Sequence, residues 1–166
     1  MGGNRSDAAP LTFTYVDLIQ AMDNATDWVR ANDIQPAGLP TSYDATPPSN
    51  IDVIVIDRQY GNAEDPFCDQ AWATSGTSGG IMGLTTCNSI NSSNQCQSAD
   101  VRYNNNWTFD VGTSAERHLA CHENGHAIGL KHPVSSAEMF GQGCMNFGTG
   151  EVNYTSHDRG HIAAAF

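Results

Sequence analysis

His122, Glu123, His126 and His132 fall within eleven consecutive residues, and their types and spacing suit a bound metal. On a helix, histidines at i and i+4 lie one turn apart on one face, so His122 and His126 can both reach a single zinc at about 2.0–2.1 Å. Glu123 projects about 100° around the helix from His122, where it can approach a zinc-bound water without taking a ligand position. Gly129 lacks a Cβ and suits a left-handed stop, which lets His132 return from outside the helix to the same point. Three neutral nitrogens with one position left open describe a catalytic zinc site rather than a closed structural one. The chemistry is then hydrolysis by a zinc-activated water, with Glu123 as general base and afterwards as general acid.

Other clusters point to chemistry less directly. His118 lies four residues before His122 on the same side of the helix and reads as a packed neighbour. His157 and His161 repeat the i, i+4 spacing without an intervening Glu at the same place or a third partner, so they read as a surface pair. Asp57, Glu64, Asp65 and Asp69 are candidate calcium ligands, but their irregular spacing favours a solvated acidic loop, and Ca2+ ranks behind Zn2+ as a cofactor.

The elements that must position these residues can be read from periodicity. Leu11 to Val16 alternates as a first strand after a flexible leader of residues 1–10. Leu18, Met22, Ala25 and Val29 form a helical stripe, which predicts a helix from Asp17, as cap, to about Asn32. Pro36, Pro40, Pro47 and Pro48 mark a connection with room for a short strand near Pro40 to Tyr43. Ile51 to Ile56 is apolar on both faces apart from Asp52, as a central strand is. Residues 57–80 read as a long surface loop and Ile81 to Thr86 as a short edge strand, along which an extended peptide can lie. Val101, Tyr103, Asn105, Trp107 and Phe109 share one face of a further strand, unless Asn104, Asn105 and Asn106 turn the chain first. Thr113 and Glu116 have the spacing of a capping box, so a helix should run from there to Gly129 and carry the histidines.

The 166 residues suffice for one domain with one cleft. Seven Lys and Arg against 18 Asp and Glu leave a net charge of −11, which repels phosphate backbones and anionic lipid; nucleic acid and membranes are poor partners. The longest apolar run, Ile51 to Ile56, is far short of the ~18 residues of a membrane span. Cysteines at 68, 87, 96, 121 and 144 leave fifteen ways to form two bridges with one thiol over. Scarce Lys and abundant small polar residues favour bridges, and with them a secreted protein.

The run His122-Glu123-Asn124-Gly125-His126-Ala127-Ile128-Gly129-Leu130-Lys131-His132 resembles the long zinc signature of the metzincin metalloproteases, H-E-x-x-H-x-x-G-x-x-H, at all five specified positions. Metzincins also carry a methionine in a tight turn beneath the imidazoles, and Met145 in Gly143-Cys144-Met145-Asn146 resembles it. The resemblance implies an α+β, zincin-type fold: a twisted, mostly parallel mixed sheet of about five strands, two long helices, and a small C-terminal subdomain with a final helix. Residues 11–166 would be one catalytic domain, 11–131 its N-terminal and 132–166 its C-terminal subdomain. It further implies a zinc endopeptidase with His122, His126 and His132 as ligands and Glu123 as base. Gly129 and Met145 would be structural, a peptide or protein the substrate, and the chain a monomer. The layout is similar to matrixin catalytic domains, whereas Pro133 after the third histidine is similar to serralysins. Phe147 stands where astacins and serralysins have a tyrosine near zinc and cannot ligate. Residues after Met145, including Phe147 and Tyr154, would shape the substrate pocket. A methionine turn packed under the helix places Cys144 near Cys121, which suggests one bridge; Cys87 with Cys96 would then close a ten-residue loop and leave Cys68 over. The alternative is an inactive metzincin-like domain that binds a protein partner.

Overall fold

The computed structural model describes residues 6–46, 49–61, 63–74, 80–106, 114–133, 143–146 and 151–166. Trp107, Phe109, Thr113 and Phe147 lie outside the described residues. Strands β1 (Leu11–Val16), β2 (Thr41–Tyr43), β3 (Val53–Arg58), β6 (Gly83–Ile90) and β7 (Cys96–Asn104) form one sheet in the order β2-β1-β3-β7-β6. The first four neighbours run parallel, and β6 runs antiparallel to β7 at one edge. Between them, β4 (Glu64–Asp65) and β5 (Gln70–Ala71) make a minimal hairpin in the loop that the sequence reserves for residues 57–80. Helices α1 (Gln20–Val29), α2 (Ser114–Ala127) and α3 (Ser156–Ala165) complete the described elements, with a 3-10 turn at Gly143–Met145.

The expected mixed sheet is therefore present, and β3 is central as its two-sided apolar pattern requires. Leu11, Phe13, Val53, Val55, Val101 and Tyr103 point into a core shared with Met22, Ala25 and Val29 of α1 and Leu119 and Ala120 of α2. Each of the larger aliphatic and aromatic side chains among them contributes about 1.5–3 kcal/mol. Several polar groups inside this core are joined: Asn124 Nδ2 donates to the Tyr103 hydroxyl at 2.8 Å, which lies 3.2 Å from the Thr26 hydroxyl. One hydrogen-bonded string thus ties α2, β7 and α1 together.

Several boundaries differ from the periodic reading, each for a tertiary reason. Asp17 is not the cap of α1; its φ is 56°, and the helix starts after Ile19, whose N–H donates to Asp57 Oδ2 at the end of β3, 3.2 Å away. A remote carboxylate does the work that a local cap would do. Beyond Val29 the helix loosens into a π turn (Arg30–Ile34) and a 3-10 turn (Gln35–Ala37) before Gly38. Strand β6 runs four residues further than expected, to Ile90, and β7 ends at Asn104 where the asparagine run turns. Part of the expected free leader is held, since Ser6 bridges to Cys96 and the Asp7 N–H donates to Cys96 O at 3.0 Å.

The final helix is anchored at its N-terminal end. Thr155 and Asp158 form a reciprocal capping box at its start. Asp33, fully buried in the π turn, accepts the Tyr154 N–H at 3.1 Å and Arg159 Nη2 at 2.7 Å. Replacing Asp33 by Ala leaves both donors without that acceptor and should lower stability by about 2–3 kcal/mol. Chemical denaturation of Asp33→Ala checks this, and an unchanged midpoint would show that the anchor is dispensable.

Candidate metal centre

Helix α2 stops at Ala127, and the chain reverses through Gly129 at φ 95°. The Leu130 N–H donates to Gly125 O at 2.9 Å and the Gly129 N–H to His126 O at 3.0 Å, the paired bonds of a Schellman stop. That reversal brings His132 back over the helix. Its Nε2 lies 2.8 Å from Nε2 of His122 and 2.8 Å from Nε2 of His126. The three candidate donor atoms lie within 4.8 Å of one another, the one such group of histidine, cysteine and carboxylate side chains among the described residues.

Two of the rings are oriented from behind. His122 Nδ1 donates to Cys144 O at 2.8 Å, and His126 Nδ1 donates to Leu130 O at 2.9 Å. With their protons committed there, both Nε2 atoms present lone pairs to the same point. A divalent cation among the three nitrogens would meet all three lone pairs at once, and the all-imidazole set is consistent with zinc. Burial, followed by repulsion from neighbouring imidazoles, lowers all three to about 4 from the ordinary 6.5. They are neutral and ready to ligate at pH 7.

The turn beneath the histidines depends on a second glycine. Met145 is fully buried, and a Cβ on Gly125 would sit against its Sδ and 3.3 Å from a Tyr154 ring carbon. Cys121 and Cys144 are bridged, which fixes α2 to the turn whose carbonyl holds His122. Cys87 and Cys96 form the second bridge, and Cys68 is the free thiol. Tyr154 is not a pocket wall: it is buried, and its hydroxyl donates to Cys121 O at 2.9 Å, bracing the helix from below.

Glu123 is buried beside the trio in a cleft of about 880 Å³, bounded by β6 on one side and α2 on the other. Burial pushes its carboxyl up to about 7, against the pull of the Thr85 hydroxyl, the Arg102 charge and the Thr85 N–H. Thr85 and Gly125 were not legible as site residues, because a lone threonine on a strand and a variable position inside a motif carry no spacing signal. His118 packs 6.1 Å from the His122 ring and donates Nδ1–H to Glu151 O at 2.6 Å, while His157 and His161 form the expected surface pair. The candidate calcium ligands are not gathered: Asp57 serves Ile19, and Asp65 is a buried partner of Arg102 at 2.8 Å.

No family model matches the chain, and no curated protein matches it. Among solved structures it is similar to that of myroilysin, with a TM-score of 0.51 over 99% of this chain and 91% of that one, at 12% identity. The layout is zincin-like. At this identity the likeness is one of fold, and the histidine geometry stands beside it as an independent observation.

The lowered imidazoles fix how the metal-free protein responds to acid. Each is protonated more readily unfolded, near 6.5, than folded, near 4, so its contribution is complete above pH 6.5 and is lost as pH falls through 4. Glu123 runs oppositely, favouring the fold below 4.5 and losing that contribution as pH rises through about 7. The carboxyls of Asp33, Asp52 and Asp57, also raised by burial, act in the same sense as Glu123, so the expectation is a difference. In chelator, as pH falls from 6.5 to 4.5, the melting temperature of His132→Asn should change in the favourable direction relative to the parent, because one destabilising protonation is removed. An equal change in that variant would contradict the assignment.

Proposed function

We propose that the chain is a zinc-dependent endopeptidase of metzincin type. The observation that carries this reading is the convergence of three Nε2 atoms on one point, with a buried carboxylate in the same cleft, on the residues of the long zinc signature. His122, His126 and His132 would hold the ion. Bound zinc lowers the pKa of a water and polarises a carbonyl oxygen.

Glu123 would accept a proton from a water at its carboxylate and deliver it to the departing nitrogen. β6 is an edge strand of the described sheet, so an extended peptide can add to it with main-chain hydrogen bonds beside the histidines. Gly129 and Met145 act structurally, by reversing the chain and filling the space under Gly125. The two bridges support an extracellular destination, and the negative charge suits a soluble domain acting on neutral or basic peptides.

Cleavage of casein should disappear with chelator and return with zinc. Glu123→Gln should retain one zinc per chain and lose roughly 10²–10⁴-fold in kcat. Full activity in that variant would overturn the mechanism. A zinc-loaded wild-type protein that cleaves nothing would favour the noncatalytic, partner-binding alternative.

A further inference from the structure

Where β6 crosses α2, two alternate strand positions face the helix, and they differ sharply in size. A Cβ on Gly83 would lie 2.7 Å from Glu123 Cγ, 2.9 Å from its Oε1 and 2.8 Å from Leu119 Cδ1. The glycine is therefore what admits the glutamate side chain against the strand. Two residues on, the same face carries Thr85. Its hydroxyl oxygen lies 2.9 Å from Glu123 Oε2 and 2.8 Å from the main-chain carbonyl oxygen of Glu123, and its one hydrogen serves one of the two at a time.

We infer that Thr85 is a positioning residue for Glu123: its hydroxyl clamps one carboxylate oxygen to the residue's own backbone and so fixes where the other oxygen meets a substrate water. This rests on the proposed endopeptidase reading and extends it to a residue outside the signature. A glutamate has three side-chain torsions, and misplacement of a reacting group by about 1 Å costs roughly 100-fold in rate. A hydroxyl that touches both ends of one glutamate restricts those torsions together. It also serves either protonation state without heavy-atom movement. Facing a carboxylate, the hydroxyl donates to Oε2; facing a carboxylic acid, it accepts from Oε2–H and turns its own hydrogen to the carbonyl. Gly83 and Thr85 thus make a Gly-x-Thr face on β6 that receives the catalytic side chain.

Thr85→Val removes the hydroxyl and keeps the shape and the strand preference. Steady-state kinetics of the zinc-loaded variant should show kcat lowered about 10–100-fold with KM within about threefold. Zinc content should match the parent, whereas the metal-free protein should melt somewhat lower, because a buried Glu123 oxygen loses its hydroxyl partner. Thr85→Ser should recover activity to within about threefold, and Thr85→Ala, a second hydroxyl-free variant, should fall as far as valine. In a Glu123→Gln background, Thr85→Val should cost nothing further, because the group it positions is gone. A wild-type kcat in Thr85→Val, a loss confined to KM, or a serine variant that fails to recover would overturn the role of Thr85 while leaving the endopeptidase reading intact. Full activity in Glu123→Gln alone would overturn that reading, and the role of Thr85 with it.

Discussion

The site depends on three uncharged imidazoles being held with their lone pairs facing one another, partly out of water. Such an arrangement is unfavourable by itself, since burial and mutual repulsion act against any proton that would relieve it. The fold sustains it by fixing the rear of two rings: Cys144 O holds His122 and Leu130 O holds His126. Both carbonyls belong to tight turns, and both turns exist because glycine stands where a side chain would not fit or would be strained. A metal that enters such a site recovers free energy that the polypeptide has already spent on orientation.

The remaining architecture holds those two turns still. The Cys121–Cys144 bridge, Met145 against Gly125 and the Tyr154 hydroxyl on Cys121 O lock the lower turn to α2 from three directions. Asp33 carries this bracing across to α1, because its carboxylate receives Tyr154 and Arg159 together. On the opposite side of α2, β6 approaches closely enough at Gly83 for a strand residue to touch the Glu123 carboxylate. The helix is thus gripped between a sheet edge and a C-terminal turn, and the cleft lies along that edge.

How much of this was legible in the sequence follows from the range of each interaction. The histidine trio was readable because helical periodicity and one left-handed glycine are local constraints that survive into the fold. The central strand was readable from the run Ile51 to Ile56, apolar on both faces, and Val101 and Tyr103 from their period-two spacing, because burial imposes such patterns locally. The start of α1 was not, since its first N–H is capped by Asp57, thirty-eight residues away. Asp65 was misassigned to a solvated loop because its partner, Arg102, lies on another strand. Tyr154 looked like a pocket residue from its place after Met145, but its hydroxyl finds a helix carbonyl in the core. Interactions between distant segments decide such cases, and residue spacing does not record them.

X-ray absorption at the zinc K-edge of the zinc-loaded protein bears most directly on the proposed centre. Three imidazole nitrogens at about 2.0–2.1 Å, one further light atom and no sulfur are expected from the set His122, His126 and His132. A sulfur shell at about 2.3 Å, as a thiolate from Cys68 or from an opened Cys121–Cys144 bridge would give, would contradict it.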